Sequence, residues 1–237
     1  MSRQNLARQC PPDRPPLTRP QEAAVAKLAY AASQPAAITV LCGPAGVGKT
    51  TVLRVAGADG LAQGQTSHLV SWADARADRG NLAAGLGQLA VSEDATAPDL
   101  LLIDDAHRGV AAELVECVER WRRRHAGIAI VLAGEGRLLS LVASDARLEQ
   151  SVRLRATLPT FTLAESRRLL APMLAVGTAE GNGDAVIRTI HEIAGGVPAI
   201  SVRLAEIAAM IAAADPGRRI TPDDVETIHR RLSLSAA

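Results

Sequence analysis

The chain has almost no aromatic residues: Trp72, Trp121, Tyr30 and Phe161 are the whole complement in 237 positions. A core must therefore be packed from Ala, Leu, Val and Ile. Ala and Leu carry high helix propensity, so a helix-rich protein is expected. Cysteine is scarce and odd in number, at Cys10, Cys42 and Cys117, with no CxxC spacing. That argues against a disulfide framework or a zinc site and suits a reducing compartment. Long apolar runs are missing too. The longest, over 204–214, is interrupted by Glu206 and falls well short of the roughly 20 residues a spanning helix needs. The N-terminus is polar and Arg-containing, without the apolar run of a secretory signal. A cytoplasmic protein with no direct membrane insertion is expected.

An excess of either charge is also absent. Lys and Arg total 26 against 25 Asp and Glu, a formal net charge of +1, so there is no global basic footprint for nucleic acid. Contact with nucleic acid would have to be local, or repeated around an oligomer. Lysine is confined to Lys27 and Lys49, which makes the placement of Lys49 stand out. What is present is ordinary for a globular chain. Hydrophobic residues make up 48%, too many for wholesale disorder at this net charge. The length allows one large domain, or one with a smaller companion.

Residues 1–20 hold five prolines and four arginines. Proline runs favour extended backbone, so 1–18 reads as an N-terminal arm. From Arg19, Ala23, Ala24, Lys27, Leu28 and Ala31 recur at helical spacing, and Pro35 ends the pattern. Apolar runs at 37–42, 67–72, 99–104 and 127–134 read as buried strands, and 151–158 alternates as a fifth. Helical segments at 51–60, 74–90 and 110–124 separate them. Strands joined by helices imply a parallel sheet covered on both faces. After Pro159 no strand pattern appears. Thr162-Leu163-Ala164-Glu165 is a capping-box pattern, opening a helix to about Val176 that bends at Pro172. A loop over 177–184 follows, then helices over 185–194 and 198–214. Thr221 as cap, Pro222 and two acids open a last helix. The fold class is α/β: a core over 19–159 with a small all-helical unit over 160–237.

One motif carries chemistry. Gly43-Pro44-Ala45-Gly46-Val47-Gly48-Lys49-Thr50 matches G-x-x-x-x-G-K-[ST] at every fixed position. It sits where a buried strand ends and a helix begins, which a chance glycine-rich turn would not require. Glycines let the loop wrap with its amides inward as an anion nest, and the helix N-terminus points at the same place. Lys49 adds a full charge for the β- and γ-phosphates, and Thr50 offers a hydroxyl to Mg²⁺. Pro44, Ala45 and Val47 shape the cradle, and Thr51 follows it into the helix. ATP and Mg²⁺ are the expected cofactors.

The second half of such a site is an acid at the tip of a neighbouring buried strand, and Leu100-Leu101-Leu102-Ile103-Asp104-Asp105 supplies it. Asp104 is placed to hold Mg²⁺ through water, Asp105 to orient or deprotonate the attacking water. The pair also reads as a plain helix cap. His107 reads either as a contact near the γ-phosphate or a partner, or as a surface residue beside the site. Glu135, after the fourth strand, stands where many P-loop ATPases sense the γ-phosphate. A negative group suits that task poorly, and a loop residue without a role is the other reading. The run 119–125 gathers four arginines, Trp121 and His125. It suits phosphates, and equally a helix C-terminus or a solvated face.

A P-loop core followed by a helical lid resembles an AAA+ ATPase. Within that superfamily the chain is similar to the ExeA/GspA-type secretion ATPases and the related TniB/TnsC-type transposition ATPases, over about residues 17–233. LTRPQEAAVAKLAYA, GPAGVGKT, LLLIDDAH and AGGVPAISVRLAE carry the likeness. The resemblance implies ATP hydrolysis to ADP and phosphate, with Asp105 and Lys49 catalytic and Thr50 and Asp104 on the metal. It implies a homo-oligomer, a hexameric ring or filament, that regulates a macromolecular partner such as DNA with a transposase. Other readings of the same likeness are a nucleotide-gated assembly factor with little turnover and a soluble accessory ATPase of a secretion system, docked through the arm. The GspA-type membrane helix and peptidoglycan-binding region have no counterpart in this sequence, a layout closer to the transposition regulators. Three positions depart from the family pattern. Asp105 stands where Glu is usual, and Ala199 where a lid Arg is usual, with Arg203 one turn on. Ser151 stands where an Arg reaching the next subunit is expected, flanked by Arg147 and Arg153. Slow or partner-stimulated hydrolysis is the expectation.

Overall fold

The apolar runs become strands whose burial follows their composition. In a computed structural model, which describes residues 15–72, 98–174, 183–215 and 219–234, β1 (Ile38–Cys42), β3 (Leu100–Asp104) and β4 (Ala129–Gly134) bury every residue. Such runs belong in the middle of a sheet covered on both faces. β2 (Ser67–Ser71) and β5 (Val152–Thr157) bury one residue each, Val70 and Ala156. They are the two edges of a five-stranded parallel sheet of order β2-β3-β4-β1-β5. One expectation is corrected here. The acid-bearing strand β3 is not the neighbour of β1, because β4 lies between them. Apolar runs mark strands but do not fix their order.

The helices follow their caps and apolar faces. α1 (Arg19–Ala32) starts at Thr18, whose amide donates to the Gln21 side chain at 3.0 Å, and buries Ala24, Val25, Leu28 and Ala31. α2 (Lys49–Ala62) follows the glycine-rich loop directly. α3 (Ala111–Arg124) buries Leu114, Val115, Cys117, Val118 and Trp121. Burial pushes the Cys117 thiol up to about 12, so it acts as a small apolar side chain. α4 (Arg137–Ala143) and α5 (Ala146–Ser151) have no counterpart in the sequence reading. At seven and six residues they are too short to display a period, though Asp145 caps α5 by accepting from the Arg147 and Leu148 amides.

In the C-terminal part, α6 (Leu163–Leu174) carries the expected capping box. The Thr162 amide donates to Glu165 at 2.8 Å, and the Glu165 amide to the Thr162 hydroxyl at 3.3 Å. α7 (Gly183–Ala194) begins inside the expected loop, since Gly183 and Asp184 already belong to it. α8 (Pro198–Ala214) and α9 (Pro222–Leu234) complete the set, and Thr221 and Asp224 cap α9 reciprocally. These four helices share a core that includes Leu170, Val186, Ile190, Leu204, Ala208 and Val225. The expected helix over 74–90, the first 14 residues of the arm and the loop over 177–182 lie outside the described residues.

The chain divides into two compact units, Met1–Leu41 with Thr50–Ala156, and Cys42–Lys49 with Thr157–Ala237. Among the described residues no helix is long and apolar enough to cross a membrane.

Candidate functional site

The loop after β1 is held by its own backbone and by the first turn of α8. Gly46 and Gly48 have φ of +72° and +99°, left-handed values that side chains other than glycine rarely adopt. A Cβ on Gly46 would lie 2.8 Å from the Ala199 Cβ. The Ala199 amide donates to the Gly46 carbonyl at 3.2 Å. The residue at 199, where the family pattern has a long Arg, thus packs its methyl against the loop apex. The Lys49 ammonium is only 6% exposed and donates to the Gly43 carbonyl at 3.0 Å and the Pro44 carbonyl at 2.8 Å. Both acceptors are loop backbone carbonyls, which an anion can replace as the partner of a buried ammonium.

The acid half lies on β3 and the first turn of α2. The Thr50 hydroxyl donates to Asp104 Oδ2 at 2.5 Å, although β4 separates the two parent strands. Asp104 is 8% exposed, and its second oxygen accepts the Asp105 amide at 2.9 Å. Asp105 turns the chain with φ +54°, which a short polar side chain tolerates. Its carboxylate faces Arg108 Nε at 3.7 Å and His107 Nδ1 at 4.0 Å. His107 Nε2 lies 3.4 Å from Glu135 Oε1. Pairing His107 with Glu135 is not legible in the sequence, because which loop faces the end of β4 depends on strand order.

The residues present fit a nucleotide with its metal. Gly46 and Gly48 hold the left-handed backbone of the kind from which anion-binding nests are built. The donor set of Thr50 and Asp104 is all oxygen, as a hard cation requires. Among the described residues no three His, Cys, Asp or Glu gather as a metal cage. A single carboxylate and a hydroxyl are what Mg²⁺ uses when phosphates supply other ligands.

Four of the arginines singled out by sequence are paired within the chain. Arg122 donates to Ser151 Oγ at 3.2 Å and to the Ala36 carbonyl at 2.7 Å. Arg120 pairs with Glu116 at 2.8 Å and Arg123 with Glu119 at 3.7 Å, each along one face of α3. Arg147 pairs with Glu119 at 3.1 Å and Asp145 at 3.3 Å. Arg153 and Arg203 are exposed.

The model of the novel STAND NTPase 5 family matches residues 13–141, more than half of the chain. The chain belongs to the novel STAND NTPase 5 family. The matched span runs from before α1 through the loop, β3 and β4 into α4. Among curated proteins none matches by sequence. Solved structures extend the likeness to the helical part. ORC1 of Aeropyrum pernix in complex with DNA superposes with a TM-score of 0.66 at 17% identity, over 94% of this chain and 68% of that one. A Thermotoga maritima RuvB P216G mutant gives 0.62 at 18%, over 90% and 68%. Domain III of the Thermotoga maritima replication initiation protein DnaA gives 0.61 at 15%, over 90% and 92%. At these identities the likeness speaks for the fold, which in this STAND NTPase is that of AAA+ ATPases: a P-loop core with a helical C-terminal region.

Proposed function

We propose that the chain is an ATP-driven switch that binds ATP with Mg²⁺, hydrolyses it slowly to ADP and phosphate, and regulates a macromolecular partner as an oligomer. Residues 19–159 act as the ATPase core and 160–237 as the lid. Gly43–Thr51 cradle the phosphates, with Lys49 giving its charge to the β- and γ-phosphates. Thr50 and Asp104 hold the metal, and Asp105 orients the attacking water. When bound, Mg²⁺ neutralises phosphate charge and orients the leaving group. The observation that carries this reading is the Thr50–Asp104 hydrogen bond. It joins the last motif position to the acid 54 residues away, at the point where a nucleotide's metal belongs.

The partner reading rests on likeness. The ORC1 relative was solved in complex with DNA, and DnaA is named as a replication initiation protein. The sequence likeness to transposition ATPases points the same way, toward a DNA-associated regulator, with a soluble secretion ATPase as the other branch. A second reading is favoured by Asp105 and Ala199. The short acid faces Arg108 and His107, and the lid offers a methyl where an Arg would stabilise charge. Both suit nucleotide-gated assembly with little turnover.

Titration with a fluorescent ATP analogue and Mg²⁺ tests the core claim. Lys49→Ala is expected to abolish nucleotide binding, and unchanged affinity in that variant overturns the assignment. Steady-state hydrolysis with and without duplex DNA, alongside light scattering with a non-hydrolysable analogue, separates the two readings. Strong stimulation by DNA supports the regulator. Assembly without turnover supports the gate.

A further inference from the structure

The ring of His107 lies between two carboxylates that sequence alone treats separately. Nε2 is 3.4 Å from Glu135 Oε1, and Nδ1 is 4.0 Å from Asp105 Oδ1. Nδ1 is buried and has no hydrogen-bond partner, although such atoms normally have one. The end of β4 and the residues just after it grip this residue three ways. Glu135 faces its ring, and the Arg137 guanidinium donates to its backbone carbonyl at 2.8 Å. Gly134 leaves the room it occupies, since a Cβ there would lie 3.0 Å from the His107 Cβ and 3.1 Å from Nδ1. The ring is thus fixed over the end of β4, the strand between the loop-bearing β1 and the acid-bearing β3.

We infer that His107 is a positioning residue that ties Asp105 to Glu135 in one carboxylate–imidazole–carboxylate row, so that the tip of β4 sets the orientation of Asp105. Asp105 is one methylene shorter than the acid usual in this fold. A short carboxylate has fewer rotamers with which to reach a water and depends more on what holds it. The charged groups facing the row are Arg108 on the same 3-10 turn (Ala106–Arg108) and Arg137 on α4. Closing the Asp105 gap by about 1 Å would make a full hydrogen bond, which satisfies the buried Nδ1. Glu135 then acts through His107 on Asp105, without itself sensing phosphate.

The inference rests on the proposed hydrolysis, and two measurements keep the two apart. The first is nitrogen-detected NMR of the imidazole, assigned by His107→Gln. Glu135→Gln and Asp105→Asn are each expected to move the His107 ring ¹⁵N shifts, and no movement in either overturns the row whether or not ATP is turned over. The second is hydrolysis with independent nucleotide titration. His107→Ala is expected to lower kcat by about tenfold to a hundredfold, as misplacement of a reacting group does, with nucleotide affinity unchanged. His107→Gln, whose amide can still reach Glu135, recovers part of the loss. Adding Glu135→Gln to His107→Ala costs nothing more, because both break one row. Unchanged kcat in His107→Ala, affinity falling in step with kcat, or fully additive losses in the double variant each overturn it. A parent chain that binds ATP without hydrolysing it defeats the turnover reading alone, and the ring shifts then decide the row.

Discussion

Gly43–Thr50 and Asp104 meet their expected pattern at every fixed position, whereas Asp105, Ala199 and Ser151 depart from the one the family resemblance implies. The proposed phosphate side is closed on itself: Lys49 rests on two loop carbonyls, and Thr50 on Asp104. The proposed water side is held by longer, looser contacts, with Asp105 at 3.7 Å from Arg108 and 4.0 Å from His107. Arg147 is taken up by Glu119 and Asp145 within its own chain. Binding a nucleotide needs only the first set. Fast hydrolysis needs the second, and arginines supplied to the γ-phosphate are worth about 10³–10⁵ in rate. In the proposed function, the contrast separates holding ATP from consuming it.

Substituting the two adjacent acids is the sharpest way to break that contrast. Asp104→Asn is expected to remove Mg²⁺-dependent nucleotide binding and to cut hydrolysis by about 10²-fold or more, the scale for losing a principal electrostatic group. Asp105→Asn is expected to leave nucleotide affinity intact and lower only kcat. Titrations with and without Mg²⁺, paired with steady-state rates, read the difference. Equal loss of affinity in both variants would show that the two sides are not separable.

The loop apex offers a test within the phosphate side. Gly46 has φ +72° and its added Cβ meets Ala199, while Gly64 has φ +82° with nothing within 4 Å of an added Cβ. Alanine at Gly64 is expected to cost about 1 kcal/mol, for the left-handed backbone alone. At Gly46 the cost is expected to reach about 2–3 kcal/mol, strain and overlap together, and only this variant weakens nucleotide binding. Thermal unfolding of both variants measures the gap. Equal costs would mean that the contact between Gly46 and Ala199 does not hold in solution.

Much of this was legible in the sequence, for local reasons. The phosphate loop is contiguous, so its spacing states its geometry. Asp104 is marked because an apolar run ends in an acid. The capping boxes at Thr162 and Thr221 are likewise three-residue signals. What was not legible depends on chain order in space. That β4 intervenes between β1 and β3, that Glu135 faces His107, and that Arg122 braces Ser151 all follow from which strands pair. α4 and α5 escaped for another reason: each is shorter than two helical turns, and its apolar residues, Leu138, Val142 and Leu148, are too few to show a period.

Asp145 gives the smallest expected effect, and it bears on whether Arg147 is free to act elsewhere. Its carboxyl is held below the ordinary value of 3.8, first by the Arg147 side chain and then by the Leu148 and Arg147 amides. A carboxyl lowered in the folded state favours folding when ionised. Its stabilisation is present above the unfolded value and disappears as the pH falls through the folded one. The pair is exposed and screened, so the effect on Tm is expected to stay within about 2 °C. Melting curves of the parent and Asp145→Asn should differ slightly at pH 7 and converge as the pH falls through the lowered folded-state value, below which the carboxyl is neutral in both states. If Asp145→Asn combined with Glu119→Gln, which removes both partners of Arg147, instead raises hydrolysis at pH 7, then freeing Arg147 from its own chain has supplied what the proposed water side lacks. The contrast between the two sides would then lie in how one arginine is tethered.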